Sequence, residues 1–216
     1  MPTNRYAELS FTEHVRAEQA RAGSRAAYAR QTCGETIHDR LGPDEAEFIA
    51  SQDHFFIASV GETGYPYLQH RGGRPGLLHV LDERTLAFAD LRGNRQYITV
   101  GNLRTNDRVS LLLLDQAAQA RLKLLGRAQM VEPGEDPALL ARLTQEGEGR
   151  VERAILVTVE AFDWNCRQHI VPRYTAEEVE SAVAPLRARL AALEQRLARK
   201  ASAPDEGTGE AGRDPL

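Results

Sequence analysis

The chain has 216 residues and a formal net charge of −4, from 27 Lys and Arg against 31 Asp and Glu. That length buries a proper core as one domain with appendages, and the near-balanced charge, with no long basic block, excludes the electrostatic footprint of a nucleic-acid binder. Met1 is followed by polar residues and no apolar run approaches membrane-spanning length, so neither signal peptide nor membrane anchor is expected.

From Phe11 to about Arg30 the composition is Ala, Arg and Glu with a weak helical stripe, and Gly23-Ser24 predicts a break into two short helices. Gln31 to Leu41 reads as loop. Pro43-Asp44-Glu45 opens a helix, because Pro and acids suit the unpaired N–H groups of a first turn; that helix should end before Asp53. The character then changes. Phe55 to Val60 reads as a strand, Gly61-Glu62-Thr63-Gly64 as a turn, and Tyr65 to Gln69 as the returning strand. Leu77–Leu81 and Thr85–Ala89 flank Asp82-Glu83-Arg84 as a second hairpin. A short helix over Gln96–Arg104 is followed by strands at Val109–Leu114 and Arg121–Val131, the latter alternating polar and apolar as a strand with one wet face does. Pro137–Gly147 reads as a helix and Ala154–Glu160 as a further strand.

About six or seven strands joined by tight turns, with helices kept to the flanks, imply an antiparallel barrel or sandwich of the α+β class with helical decoration. The organisation is a helical extension over 1–50, a barrel over 51–174, an amphipathic helix over 175–200 and a disordered tail over 201–216, where apolar residues nearly vanish. In the C-terminal helix Val179, Val183, Leu186, Leu190, Leu193 and Leu197 recur in alternating steps of four and three, a heptad seam. It reads either as a helix docked on its own barrel or as a coiled-coil contact between subunits. Pro185 inside it predicts a kink or a new start.

Candidate chemistry concentrates between Gly64 and Gly101. Arg71, Arg74, Arg92 and Arg95 lie beside glycines in two segments separated by one predicted hairpin, which brings its flanks together. A phosphate suits a guanidinium fork and backbone N–H groups approached across small residues, and Gly93-Asn94-Arg95 supplies both. The opposing reading is that these are solvated loop arginines. No Gly-Lys-Ser/Thr follows the glycines and no alternating βα pattern surrounds them, which excludes a Walker loop and a dinucleotide fingerprint. His54, His70, His79 and His169 carry no ligand spacing, so no metal is expected; His79, between Leu78 and Val80, reads as an outward strand residue. Ser59 and Ser110 lack a nucleophile elbow. Cys33 and Cys166, far apart and without second-ligand spacing, read as free thiols of a reducing, cytoplasmic compartment. Trp164 either closes the barrel as a core aromatic or lays its ring against a planar ligand with Arg173 on a negative edge.

The run from Pro66 to Met130 resembles the pyridoxamine 5′-phosphate oxidase family of flavin-binding split β-barrels, most strongly from Phe88 to Leu114. Family members carry a Gly-Ser-Arg-Lys turn for the flavin mononucleotide (FMN) phosphate, then a short helix and an Asn-Pro-Arg-Val-Ser strand. Gly93-Asn94-Arg95-Gln96 and Asn106-Asp107-Arg108-Val109-Ser110 match that pattern and its spacing. The resemblance implies Arg95 as the phosphate arginine with Asn94 and Gln96 assisting, and Ala89 and Asp90 lining the cofactor. Gln69, His70 and Arg71 would run beside the ribityl chain and ring, Arg121 would point at the pyrimidine end, and Trp164 and Arg173 would complete the site. It further implies a homodimer with FMN between subunits and an FMN-dependent oxidoreductase passing hydride or electrons to a small molecule. No catalytic acid or base is assigned. Gln96 stands where the family has lysine, and the segment that recognises pyridoxamine phosphate is missing after Trp164, so a relative of the vitamin-B6 enzyme is implied. The same barrel serves deazaflavin-dependent reductases and haem-binding relatives, and the alternative function is a non-enzymatic flavin or haem carrier.

Overall fold

The computed structural model describes residues 4–32, 37–145, 147, 149–164 and 167–202. The thiols of Cys33 and Cys166 and the tail from 203 onward lie outside these. The described chain forms two compact units, one up to Pro172 and one from Arg173.

In the first unit, three short helices, α1 (Arg5–Ser10), α2 (Glu13–Arg21) and α3 (Arg25–Thr32), precede α4 (Pro43–Ser51). The break at Gly23-Ser24 is where the composition predicts it, with Gly23 at φ +75°, a conformation an L side chain resists. α1 was not predicted from sequence; Asn4 starts it by accepting from the Ala7 N–H at 3.0 Å. Predicted loop at Gln31 and Thr32 is instead the last turn of α3.

Seven strands follow: β1 (His54–Val60), β2 (Pro66–Gly72), β3 (Leu78–Val80), β4 (Thr85–Leu91), β5 (Arg108–Asp115), β6 (Ala120–Val131) and β7 (Val151–Trp164). They make one antiparallel sheet in the order β2-β1-β5-β6-β7-β4-β3. Strict alternation puts Phe55 and Ile57 of β1, Leu111 and Leu113 of β5, Leu122 and Leu124 of β6, and Ile155 and Val157 of β7 on one face, all fully buried. β2 and β4 lie far apart in this order, yet Arg71 of β2 bonds Asp90 of β4 at 2.9 Å. A flat sheet cannot bring them together; the sheet is curled into a split barrel around its apolar face. Ile49 and Leu41 enter the same core, and Trp164 closes it beside α4.

Local geometry explains the curl. The ladder between β6 and β7 shifts register at Leu125/Gly126. A Cβ on Gly126 would stand 2.5 Å from the Thr158 carbonyl oxygen, so only glycine lets the strands cross there. On the outer face α6 (Pro137–Leu143) lays Leu139, Leu140 and Leu143 over Ala87, Ala154 and Leu156. It stops earlier than predicted, where Thr144 turns to extended backbone and its hydroxyl donates to the Leu140 carbonyl at 2.7 Å. His79 pairs with Ala87 in the β3–β4 ladder and is half-buried. It therefore lies on the outer face, as its alternation with Leu78 predicts, on the side that α6 covers. Between β4 and β5 sits α5 (Ile98–Leu103).

The second unit is α7 (Ala176–Ser202), one helix that runs through Pro185 with no new start. Thr175 and Glu178 form a capping box, with Thr175 N–H donating to Glu178 Oε2 at 2.6 Å and Glu178 N–H to Thr175 Oγ1 at 3.1 Å.

Candidate functional site

The site forms where β2 closes on β4. The inward phase of β2 carries Tyr67, Gln69 and Arg71; that of β4 carries Leu86, Phe88 and Asp90. Asp90 is therefore in phase with core residues and only 5% exposed. A carboxylate there must be paired, and it is paired twice: Arg71 Nη1 donates to Oδ1 and Arg153 Nη1 to Oδ2, both at 2.9 Å. Two guanidiniums thus converge on one buried carboxylate at the barrel mouth, and Arg153 also lies 3.7 Å from Glu132 and 3.9 Å from Glu152. Arg71 also lies 5.7 Å from the Phe88 ring centroid and Arg153 5.5 Å from that of Tyr97, contacts that favour cations over aromatic faces. Tyr97 donates its hydroxyl to Glu152 Oε1 at 3.2 Å.

The segment after β4 turns sharply. Arg95 at φ 62° and Tyr97 at φ 52° are both left-handed, a costly conformation for residues with side chains. Asn94 Oδ1 accepts from the Gln96 N–H at 3.2 Å and holds the turn. α5 then anchors it to the barrel: Thr99 Oγ1 donates to Gln69 Oε1 at 3.0 Å, and Asn102 Nδ2 to Ser59 Oγ at 3.0 Å. Between this turn and β2 lies a cleft of about 210 Å³. Arg95 stands exposed at its edge, with no ion pair among the described residues. A second cleft, about 170 Å³, adjoins the first through Gln69, Arg71 and Leu91; Leu77, Phe88 and Leu143 make its apolar wall.

Of the residues singled out in the sequence, Gln69, Arg71, Asp90, Gly93, Asn94, Arg95 and Gln96 line the first cleft. His70 and Ala89 line the second, with the His70 ring 5.4 Å from Phe56 and 5.6 Å from His54. Three lie elsewhere. Arg121 is the second residue of β6, opposite Leu114, and lines neither cleft. Trp164 ends β7, donating its indole N–H to Glu45 Oε1 at 2.7 Å with Phe48 edge-on at 4.8 Å, an arrangement suited to a core aromatic. Arg173 belongs to the second unit. Arg153, Tyr67, Tyr97 and Thr99 were missed. Tyr97 adjoins the Arg/Gly turn and was within reach of the sequence. Arg153 sits between Glu152 and Ala154 at a strand start, where no local signal sets it apart. Among the described residues no group of three His, Cys, Asp or Glu side chains is placed to hold a metal ion.

The model of the pyridoxamine 5′-phosphate oxidase family matches residues 41–159, more than half of the chain. The chain belongs to the pyridoxamine 5′-phosphate oxidase family. For this oxidase-family chain the match runs from before α4 into β7 and takes in every residue lining the two clefts; Trp164 and Arg173 lie beyond it. Similar solved structures include HupZ of Group A Streptococcus, at 15% identity and a TM-score of 0.49, covering 62% of this chain and 99% of that one. A Clostridium acetobutylicum protein related to general stress protein 26 has 19% identity and a TM-score of 0.43, covering 63% and 94%. An F420 reductase has 19% identity and a TM-score of 0.41, covering 56% and 98%. Among curated proteins none matches the chain.

Proposed function

We propose that this family member is an FMN-dependent oxidoreductase that passes hydride or electrons between FMN and a small molecule. The observation that carries this reading is the exposed Arg95, without an ion pair among the described residues, on a left-handed turn facing Arg71 across the barrel closure. A phosphate between them meets the exposed guanidinium of Arg95, Arg71 beside its Asp90 partner, and the side-chain amides of Asn94 and Gln96. The donor set thus fits the group despite the glutamine at position 96. Leu77, Phe88 and Ala89 supply an apolar wall in the adjoining cleft. Each cleft by itself is smaller than the roughly 300–1,000 Å³ of an ordinary small-molecule site. A homodimer in which a second subunit completes the enclosure accounts for that, and cytoplasmic residence accords with the cofactor.

Bound FMN supplies the redox chemistry; the residues of this chain bind and orient it. Arg95, Asn94 and Gln96 hold the phosphate end, Arg71 is kept in place by Asp90, and Gln69 is aimed by Thr99. The test is the visible spectrum of the purified protein, followed by mixing with a reduced nicotinamide nucleotide. A flavin spectrum that bleaches on mixing and returns in air is expected. Bound flavin that no reductant or oxidant turns over points to a carrier, and a colourless protein that takes up no added FMN overturns the proposal.

A further inference from the structure

The second unit carries an unused recognition surface. Along α7, Val179, Leu186, Leu190, Leu193 and Leu197 are 44–67% exposed. Leucines so exposed at heptad spacing are costly in water and suit a helical partner. Val183, Leu190 and Leu197 take the a positions and Val179, Leu186 and Leu193 the d positions. Pro185 falls at a c position, away from the seam, where its ring and missing N–H leave the apolar face intact.

The apolar layers and the flanking charges together decide who the partner is and which way it runs. Glu180, Arg187 and Glu194 occupy the e positions; Ala182, Arg189 and Arg196 occupy the g positions. In a parallel pair each g residue meets the e residue five places on in the other helix. Arg189 then meets Glu194 of a second copy, and by symmetry this happens twice. Arg187 meets only Ala182, and its charge is already held by Glu180 of its own helix at 2.7 Å. The antiparallel register that layers all six seam residues, with Val183 on Leu193 and Leu190 on Leu186, opposes Arg187 to Arg187, Arg189 to Arg189 and Glu180 to Glu194; registers shifted by one heptad bring Glu180 or Glu194 to Arg187 but leave Leu193 and Leu197, or Val179 and Val183, without a layer. Like charges so placed are destabilising, and e/g pairing of this kind sets both partner and orientation. We propose that α7 pairs with α7 of a second copy as a parallel, in-register, two-stranded coiled coil over Val179–Leu197, with Arg189 and Glu194 as its interhelical ion pairs.

The test uses the full chain with Cys33→Ser and Cys166→Ser as background. A disulfide needs Cα atoms within about 7 Å, so Leu193→Cys at a d position should crosslink to itself under mild oxidation about tenfold faster than Ala188→Cys on the outer face. Adding Glu194→Arg should slow the Leu193→Cys crosslink, and adding Arg189→Glu to that should restore it. In the antiparallel arrangement Glu194→Arg would instead face Glu180 and speed association. Equal rates for Leu193→Cys and Ala188→Cys overturn the proposal. So does preferential crosslinking of a Leu186→Cys chain to a Leu190→Cys chain.

Discussion

Arg95 and Asp90 show how two charged residues a few positions apart take opposite roles. Arg95 is exposed on its turn, where its charge is available to a ligand at little cost. Replacing it with alanine should weaken FMN binding by about 1.5–3 kcal/mol, the range for hydrogen bonds to a charged group, and leave riboflavin nearly untouched. Calorimetric titration with both ligands checks this, and equal losses for the two would remove the phosphate role. Asp90 is buried, and Arg71 and Arg153 are each about one-seventh exposed at 15% and 14%. Asp90→Asn takes from Arg71 its carboxylate partner and leaves Arg153 only its longer contacts with Glu132 and Glu152, so unfolding in urea should show a loss of about 3–5 kcal/mol. Because the three act as one cluster, Asp90→Asn combined with Arg153→Met should cost less than the sum of the two.

At the scale of elements, β3, β4 and α6 form a small unit whose stability depends on pH. Burial, and then the nearby Arg142, hold the His79 imidazole below the usual histidine range. The unfolded chain therefore binds a proton that the folded chain refuses. Stability from this group is present above the unfolded value of 6.5 and is lost as pH falls from there toward the lower folded value. Urea midpoints measured from pH 7.5 down to pH 5 should fall over that window, and His79→Leu should flatten the fall. Asp82 is also shifted downward, chiefly because the Arg84 backbone N–H donates to it, but its effect belongs to far more acid conditions. The elements themselves were legible at this scale. Turn chemistry at Gly61–Gly64 and Asp82–Arg84, the apolar runs of β1 and β5 and the period-two pattern of β6 marked strands with correct order and nearly correct ends. α1 escaped because six residues with one buried side chain, Ala7, leave no periodic stripe to read. The kink or fresh start predicted at Pro185 is not a break, because losing one N–H bond interrupts a 27-residue helix only locally.

For the whole molecule, the division at Pro172/Arg173 has a direct consequence. The barrel holds its own core and every residue that lines the clefts. A chain ending at Tyr174 should keep a cooperative unfolding transition while its far-UV circular dichroism loses the signal of the 27-residue α7. Loss of cooperativity would show that the barrel depends on α7 for its stability. Family membership and the succession of strands with helices at the flanks were determined by the sequence alone, since local pattern and spacing carry them. The clustering of Arg71, Asp90 and Arg153 was decided only by the tertiary structure. These residues lie 19 and 63 positions apart, and nothing local encodes the curl that brings β2 to β4. The same holds for Trp164, whose two readings the sequence left open, and whose indole settles against Glu45 and Phe48 because α4 folds back over the end of β7. Periodicity tells which face of a strand is apolar; the long-range closure of the sheet decides which charged residues share its mouth.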